Sequence, residues 1–226
     1  MPITEIILPV HNGLSHVRDG LDAVLAYTPR RDSRLLVVDD ASDQVTAAWL
    51  RQWATAQPDW ITLQRHDENL GFLASCNRAM DSPLTPNPSP SRGEGSDLSD
   101  YVLLLNSDVL VGPGWLERLL TCAASDPRIA AVNPLSNRAD NIDLPMAPGA
   151  SYLAMNEYLA VQRRGQCHDV VTGVGFCLLL RRSALRQVGL FDPIYGQGYC
   201  EESDLCMRLI AAGWRGWRIT DTALKT

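Results

Sequence analysis

Three groups of polar residues carry the chemistry that this sequence offers. Asp39 and Asp40 close the apolar run Leu35–Val38, and Asn106-Ser107-Asp108 closes Tyr101–Leu105. Glu201-Glu202-Ser203-Asp204 opens the last helical stretch. In open α/β sheets, ligands bind outside the carboxyl ends of the strands, near the point where strand order reverses. Asp108 would repel a diphosphate unless a hard divalent cation lay between them, with carboxylate and phosphate oxygens as ligands. Such a cation, Mn2+ or Mg2+, stabilises charge building on a departing nucleoside diphosphate. Asn106 is the neutral partner of Asp108 in that motif. Each group also has a plain structural reading. Asp39 and Asp40 can serve only the turn into the helix after Ser42, and acids at a helix start complement its dipole by ~0.3–1 kcal/mol. A carboxylate there also stays ionised near neutrality, as a base accepting a proton from an attacking hydroxyl must. Spacing alone leaves both readings open.

The elements that must position these residues are legible as alternating strands and helices. Glu5–Leu8 reads as a short strand that exits through the turn-rich Pro9-Val10-His11-Asn12-Gly13. Leu14, Val17, Leu21, Val24 and Leu25 recur at helical spacing to about Tyr27. Leu35–Val38 is a fully apolar strand. Ser42 or Asp43 caps the next helix, with Val45, Trp49, Leu50 and Trp53 on its face. A weak strand at Ile61–Gln64, a helix from Phe72 to Met80, the strand Tyr101–Leu105 and a helix bearing Trp115, Leu116, Leu119 and Leu120 follow. Continuously apolar strands need cover on both faces, which predicts a parallel, doubly wound α/β sheet. The second half is less regular. It offers a short strand at Ile129–Val132, and a strand pair or one long bent strand over Asp169–Leu180. A turn at Gly189–Pro193 and a helix over Glu202–Ala212 stopped by Gly213 come next. Ser82–Ser99 breaks the pattern: Pro83, Pro86, Pro88 and Pro90 forbid a helix or central strand, and the wording resembles translated repetitive elements. It reads as a disordered insertion.

Composition narrows the function classes. With 226 residues and 46% apolar content, the chain has length for one α/β domain with a real core. A net charge of −6 argues against nucleic acid as a partner, because no positive field would gather phosphates. No apolar run approaches a membrane span or a signal peptide, and none of the six Cys forms a C-x-x-C pair. A cytoplasmic protein with buried free thiols and no zinc site is the expectation.

What is specific is the order of short motifs along the chain. Pro9-Val10-His11-Asn12 comes first, then Val37-Val38-Asp39-Asp40-Ala41-Ser42, Asn69-Leu70-Gly71-Phe72 and Leu104-Leu105-Asn106-Ser107-Asp108. Gly173-Val174-Gly175-Phe176-Cys177, Gly189-Leu190-Phe191-Asp192 and Gly198-Tyr199-Cys200-Glu201-Glu202-Ser203-Asp204-Leu205-Cys206-Met207-Arg208 complete the set. Together they resemble glycosyltransferase family 2 from Thr4 to about Asp221, outside Ser82–Ser99. The likeness is strongest to the bacterial branch that builds O-antigen, rhamnan and other cell-surface polysaccharides. The resemblance implies a GT-A fold: a doubly wound, mostly parallel sheet flanked by helices, with a smaller acceptor-side mixed region. Its nucleotide-binding half would span about 1–111 and its acceptor-side half about 112–226. The implied reaction is inverting, metal-dependent transfer from a UDP- or dTDP-linked sugar to a glycan or lipid-linked acceptor.

By that similarity Asp40, with Asp39 beside it, holds the nucleobase and ribose, bordered by Pro9, His11, Asn69, Gly71 and Ser107. Asp108, with Asn106, holds the metal. Glu202 is the base, with Glu201 and Asp204 as alternates, and Gly173, Val174 and Gly175 form the floor under donor and acceptor. Trp214 borders the acceptor. The family usually adds a metal-ligating His several residues after the position of Asp221, and none of His11, His16, His66 or His168 matches that place. A longer form would carry that ligand and a peripheral contact with the inner face of the cell membrane. The competing expectation is an impaired GT-A domain that only binds nucleotide. A nucleotidyltransferase is disfavoured, since no Gly-rich, Lys/Arg-containing loop follows the first strand.

Overall fold

A computed structural model of the chain describes residues 3–81, 99–137, 144, 149–170, 172–196 and 198–225. The first half alternates as its apolar pattern dictates: β1 (Thr4–Val10), α1 (Leu14–Tyr27), β2 (Ser33–Asp40), α2 (Gln44–Thr55), β3 (Ile61–His66), α3 (Phe72–Asp81), β4 (Tyr101–Leu105) and α4 (Trp115–Ser125). The second half holds β5 (Ile129–Ser136), α5 (Tyr152–Gln162), β6 (Cys167–Asp169), β7 (Cys177–Arg181), α6 (Arg182–Val188), a 3-10 turn at Pro193–Tyr195, α7 (Glu201–Ala211) and β8 (Arg215–Leu224). All eight strands form one sheet in the order β3-β2-β1-β4-β7-β5-β8-β6. β3, β2, β1 and β4 run parallel, and β7 enters antiparallel between β4 and β5. β8 lies parallel to β5, with β6 antiparallel at the edge.

Two apolar layers cover the sheet. Val17, Leu21 and Val24 of α1, Leu50 of α2, and Trp115, Leu116 and Leu119 of α4 bury one face, together with Leu159 of α5. Leu73, Cys76 and Met80 of α3, Leu185 of α6, and Leu205 and Leu209 of α7 bury the other. Ile7, Leu36 and Leu104 point to one layer and Ile6, Leu35 and Leu103 to the other, so neither set alternates with polar residues.

The second half departs from expectation at several points. Asp169–Leu180 is neither a pair nor one bent strand: β6 and β7 lie apart in the same sheet, pairing with β8 and with β4 and β5, and Thr172–Phe176 carries the chain between them. β5 runs four residues beyond Val132, because β8 supplies partners as far as Ser136. α5 carries no helical apolar period, since Asn156 is buried while Tyr158 and Val161 are exposed. None of the cysteines is joined in a disulfide; four are buried, Cys167 is half-buried and Cys200 is exposed.

The expected insertion lies outside the described residues except at Ser99, and its flanks are tightly held. Arg182 donates to the Met80 carbonyl at the end of α3 (2.9 Å) and to the Ser99 hydroxyl before β4 (3.1 Å), and it pairs with the buried Glu5. These flanks stand at the amino edge of β4, opposite the edge where the conspicuous carboxylates gather.

Candidate active site

Strand order reverses between β1 and β4, so the exits Pro9–His11 and Asn106–Asp108 lie side by side at the carboxyl edge. Asp40, at the end of β2, is buried. Its Oδ1 accepts from His66 Nδ1 (2.9 Å) and the Leu70 amide (2.9 Å), and its Oδ2 accepts from the Gly71 amide (2.9 Å). Burial pushes this carboxyl up, but the bonds from Leu70, His66, Gly71 and Ser75 outweigh it and hold the pKa below the ordinary value. Asp40 therefore shapes the Asn69-Leu70-Gly71 turn. Asp39 is equally engaged: it accepts from the Ser42 amide (2.9 Å) and pairs with Arg65, which also donates to the Ser42 carbonyl (2.9 Å). Both carboxylates face inward. The surface above them is built by His11, Asn12 and Asn69: His11 Nδ1 donates to the Asp40 carbonyl (2.8 Å), leaving Nε2 to accept from Asn12 (3.0 Å) and Asn69 (3.1 Å). Pro9 sits below this wall, opposite Val38.

On the other side of the switch point, the Asn106 amide donates to the Phe176 carbonyl (2.9 Å), after which Ser107 and the exposed Asp108 turn outward. Gly20 of α1 is needed here. A Cβ at that position would lie 2.5 Å from the Ser107 carbonyl oxygen, so only glycine lets the helix approach this turn. The isolated Gly inside an apolar helical period is the signal that could have found it.

Gly173, Val174 and Gly175 lie along the sheet edge between these turns and α7. The buried Asn133 of β5 pins them, donating to the Val174 carbonyl (2.8 Å) and the Cys177 carbonyl (2.6 Å) and accepting from the Val174 amide (3.2 Å). A polar residue inside an apolar strand was the trace of this role. From the helix side, Thr172 and Ser203 hydroxyls bond at 2.8 Å, and the Gly173 amide donates to Cys206 Sγ (3.1 Å).

Glu202 rests directly on this floor: a Cβ on Gly175 would fall 2.0 Å from its Oε1. Burial is the main cause that raises its pKa above the ordinary value, and the Glu201 charge adds to it. The Glu202 and Gly175 backbone amides pull the other way. Glu201 is buried, and its Oε2 has no hydrogen-bond partner among the described residues. The Cys76 thiol of α3 is pushed up by burial and then by the charges of Glu202, Glu201 and Asp40.

Two expected residues stand apart. Asp204 is committed to Arg208 (2.8 Å), whose other nitrogens hold the Val188 and Leu190 carbonyls. Trp214 follows the far end of α7, ~16 Å along the axis from Glu201, and donates to Gln187 (2.9 Å).

These groups lie along one edge of the sheet: a polar wall, an exposed carboxylate on a tight turn, and a half-buried carboxylate of raised pKa on a glycine floor. The glycosyl transferase family 2 model matches residues 5–189. The N-acetylglucosaminyl-diphospho-decaprenol L-rhamnosyltransferase of Mycobacterium tuberculosis is 28% identical over 94% of this chain and 72% of its own length. The pre-mycofactocin glycosyltransferase of the same organism is 32% identical over 93% of this chain and 39% of its own. Among solved structures, GalNAc-T7 with UDP, GalNAc and Mn2+ superposes with a TM-score of 0.75 at 13% identity, over all of this chain and 44% of that one. The mannosyltransferase of Pyrobaculum calidifontis with GDP-Man and Mn2+ gives 0.71 at 21% identity, over all of this chain and 56% of that one. Both neighbours are GT-A glycosyltransferases, and the fold here is the same. The chain belongs to glycosyl transferase family 2, a family of sugar-transferring enzymes.

Proposed function

We propose that this chain transfers a sugar, with inversion, from a nucleotide-diphosphate donor to a glycan or lipid-linked acceptor in cell-surface polysaccharide synthesis. The observation that carries it is the seat of Glu202. Its carboxylate lies against Gly175, and the next residue, Phe176, is bonded to Asn106 at the start of the Asp108 turn. Residues 1–111 form the nucleotide half and 112–226 the acceptor side. The nucleobase lies against Pro9, His11 and Asn69, on the turns that Asp39, Asp40 and Gly71 shape, with the diphosphate over Ser107.

Asp108 is exposed and Asn106 half-buried beside it, and among the described residues no three His, Cys, Asp or Glu side chains cluster as a cage. That donor set fits a hard Mg2+ or Mn2+ that takes most of its oxygens from diphosphate and water. Such an ion, when bound, offsets the charge of the leaving diphosphate. Glu202 accepts the proton of the acceptor hydroxyl. The hydroxyl oxygen bonds to the anomeric carbon on the face opposite the diphosphate, whose oxygen departs with the bonding electrons. Its raised pKa suits Glu202 to that exchange, since a base works best when its pKa approaches the working pH. The relative that acts on a decaprenol-linked substrate supports a lipid-linked acceptor. Among the described residues no helix is long and apolar enough to cross a membrane; we place the encounter with such an acceptor at the cytoplasmic face of the membrane.

The test is Glu202→Gln, assayed against a panel of UDP- and dTDP-sugars with Mn2+. Transfer should fall about 100-fold or more while titration calorimetry finds nucleotide affinity unchanged. Transfer that survives the substitution removes Glu202 from the role. Nucleotide binding with no transfer in the parent chain selects the second reading, a binding domain, which the single carboxylate at the metal turn favours.

A further inference from the structure

The segment that leads into α7 is built against local preference. Gly196, Gly198, Tyr199 and Cys200 all have positive φ, at 56°, 115°, 71° and 78°. Two consecutive left-handed residues that carry a Cβ are disfavoured, because the side chain crowds the following carbonyl. The segment is nevertheless fixed at both ends. Asp192 accepts from the Ile194 amide (2.9 Å), the Gly198 amide donates to the Tyr195 carbonyl (3.1 Å), and the Asp204 amide donates to the Cys200 carbonyl (2.9 Å). Tyr195 packs against the second apolar layer. Tyr199 gains nothing comparable, being 91% exposed. An exposed tyrosine on a loose loop is ordinary; one held outward on an anchored, disfavoured backbone three residues before the candidate base has another use.

We propose that Tyr199 is an acceptor-binding residue whose ring stacks on a pyranose ring of the acceptor and brings its hydroxyl to Glu202. This rests on the reading of Glu202 as the base. An aromatic face offers a flat apolar surface to the C–H face of a sugar, and tyrosine orders few torsions in doing so. The buried Glu201 carboxylate lies against Gly198, where a Cβ would fall 3.3 Å from its Oε1, so the loop that bears Tyr199 is packed on the helix that bears Glu202.

The test measures binding rather than turnover. Titrations of methyl β-N-acetylglucosaminide, by saturation-transfer NMR, are made on the full chain with UDP and Mn2+ present. Parallel titrations use farnesyl diphosphate, a lipid diphosphate without a sugar. Tyr199→Ala should weaken the sugar about tenfold, equal to ~1.4 kcal/mol, with UDP affinity unchanged. Tyr199→Phe should stay within about threefold of the parent, a difference under ~0.7 kcal/mol. Tyr199→Asn keeps a residue that tolerates left-handed backbone but removes the ring, and should match the alanine variant. Unchanged sugar affinity in Tyr199→Ala, parent-like affinity in Tyr199→Asn, or dependence of farnesyl diphosphate alone on Tyr199 each overturns the proposal. Because no step requires transfer, a failure of Glu202 as base remains distinguishable from a failure of Tyr199 as platform.

Discussion

Replacing Gly175 by alanine would separate the position of Glu202 from every other property of the site. Gly175 has no positive φ, so the added methyl imposes no backbone strain. Its Cβ would lie 2.0 Å from Glu202 Oε1 and 3.1 Å from Cδ, where ordinary contact begins at 3.4 Å. The carboxylate must therefore retreat by more than an ångström and lose the Gly175 amide that faces it. A misplacement of ~1 Å at a reacting group costs about 100-fold in rate, or ~2.7 kcal/mol of barrier. The displaced atoms are the free end of a side chain, so the stability loss should stay near the low end of the ~1–3 kcal/mol typical of overpacking. The assay is transfer rate at saturating donor, with thermal unfolding and UDP titration on the same samples. Gly173→Ala is the contrast: its Cβ would meet Asn133 Oδ1 at 2.9 Å and Leu178 Cδ1 at 3.0 Å, both buried, so it should lower the melting temperature more. Parent-like transfer by a well-folded Gly175→Ala protein would refute the assignment of Glu202 through its seat.

Three further outcomes are expected. Because burial and the Glu201 charge raise Glu202, kcat/KM should climb with pH through a midpoint above 4.5; Glu201→Gln should move that midpoint down, and an unmoved or higher midpoint counts against the pairing. Asp204→Asn should leave transfer within about threefold and cost under ~1 kcal/mol of stability, since Asp204 serves Arg208; a loss like that of Glu202→Gln would make Asp204 the base. Arg182→Met should cost about 3–5 kcal/mol by stranding Glu5. Burial already pushes Glu5 up to about 7 against the pull of Arg182, so the deficit in chemical denaturation should widen as pH rises through 7, where the parent ionises Glu5 and the variant must not.

The sequence carried the first half well because three of its strands, β1, β2 and β4, are buried on both faces. Leu35–Val38 and Tyr101–Leu105 are continuous apolar runs, and Asp43 caps α2 as its position suggests, accepting from Thr46 at 2.8 Å. β8 was hidden because Arg215–Leu224 is polar and takes its form from pairing with β5. α5 was hidden because its buried face includes Asn156, which bonds to Arg118 and the Pro113 carbonyl. Within the site, residue types and order placed the carboxylates on the right edge, but not their partners. That Asp39 meets Arg65, that Asp40 gathers the amides of Leu70 and Gly71, and that Asn133 pins the floor are contacts 26 to 44 residues apart in the chain. Local pattern does not encode them.

Arg182 has a consequence for how such a protein changes over generations. By gripping the end of α3, the residue before β4 and the start of β1 together, it makes the placement of β4 independent of how many residues join Met80 to Ser99. Doubling a connection there adds only ~0.6 kcal/mol of closure entropy, and the knot stands a full strand length from the candidate site. A change in the length of that connection therefore costs the fold little. New chain can accumulate there, be trimmed, or acquire a use of its own, while the chemistry at the opposite edge is inherited intact.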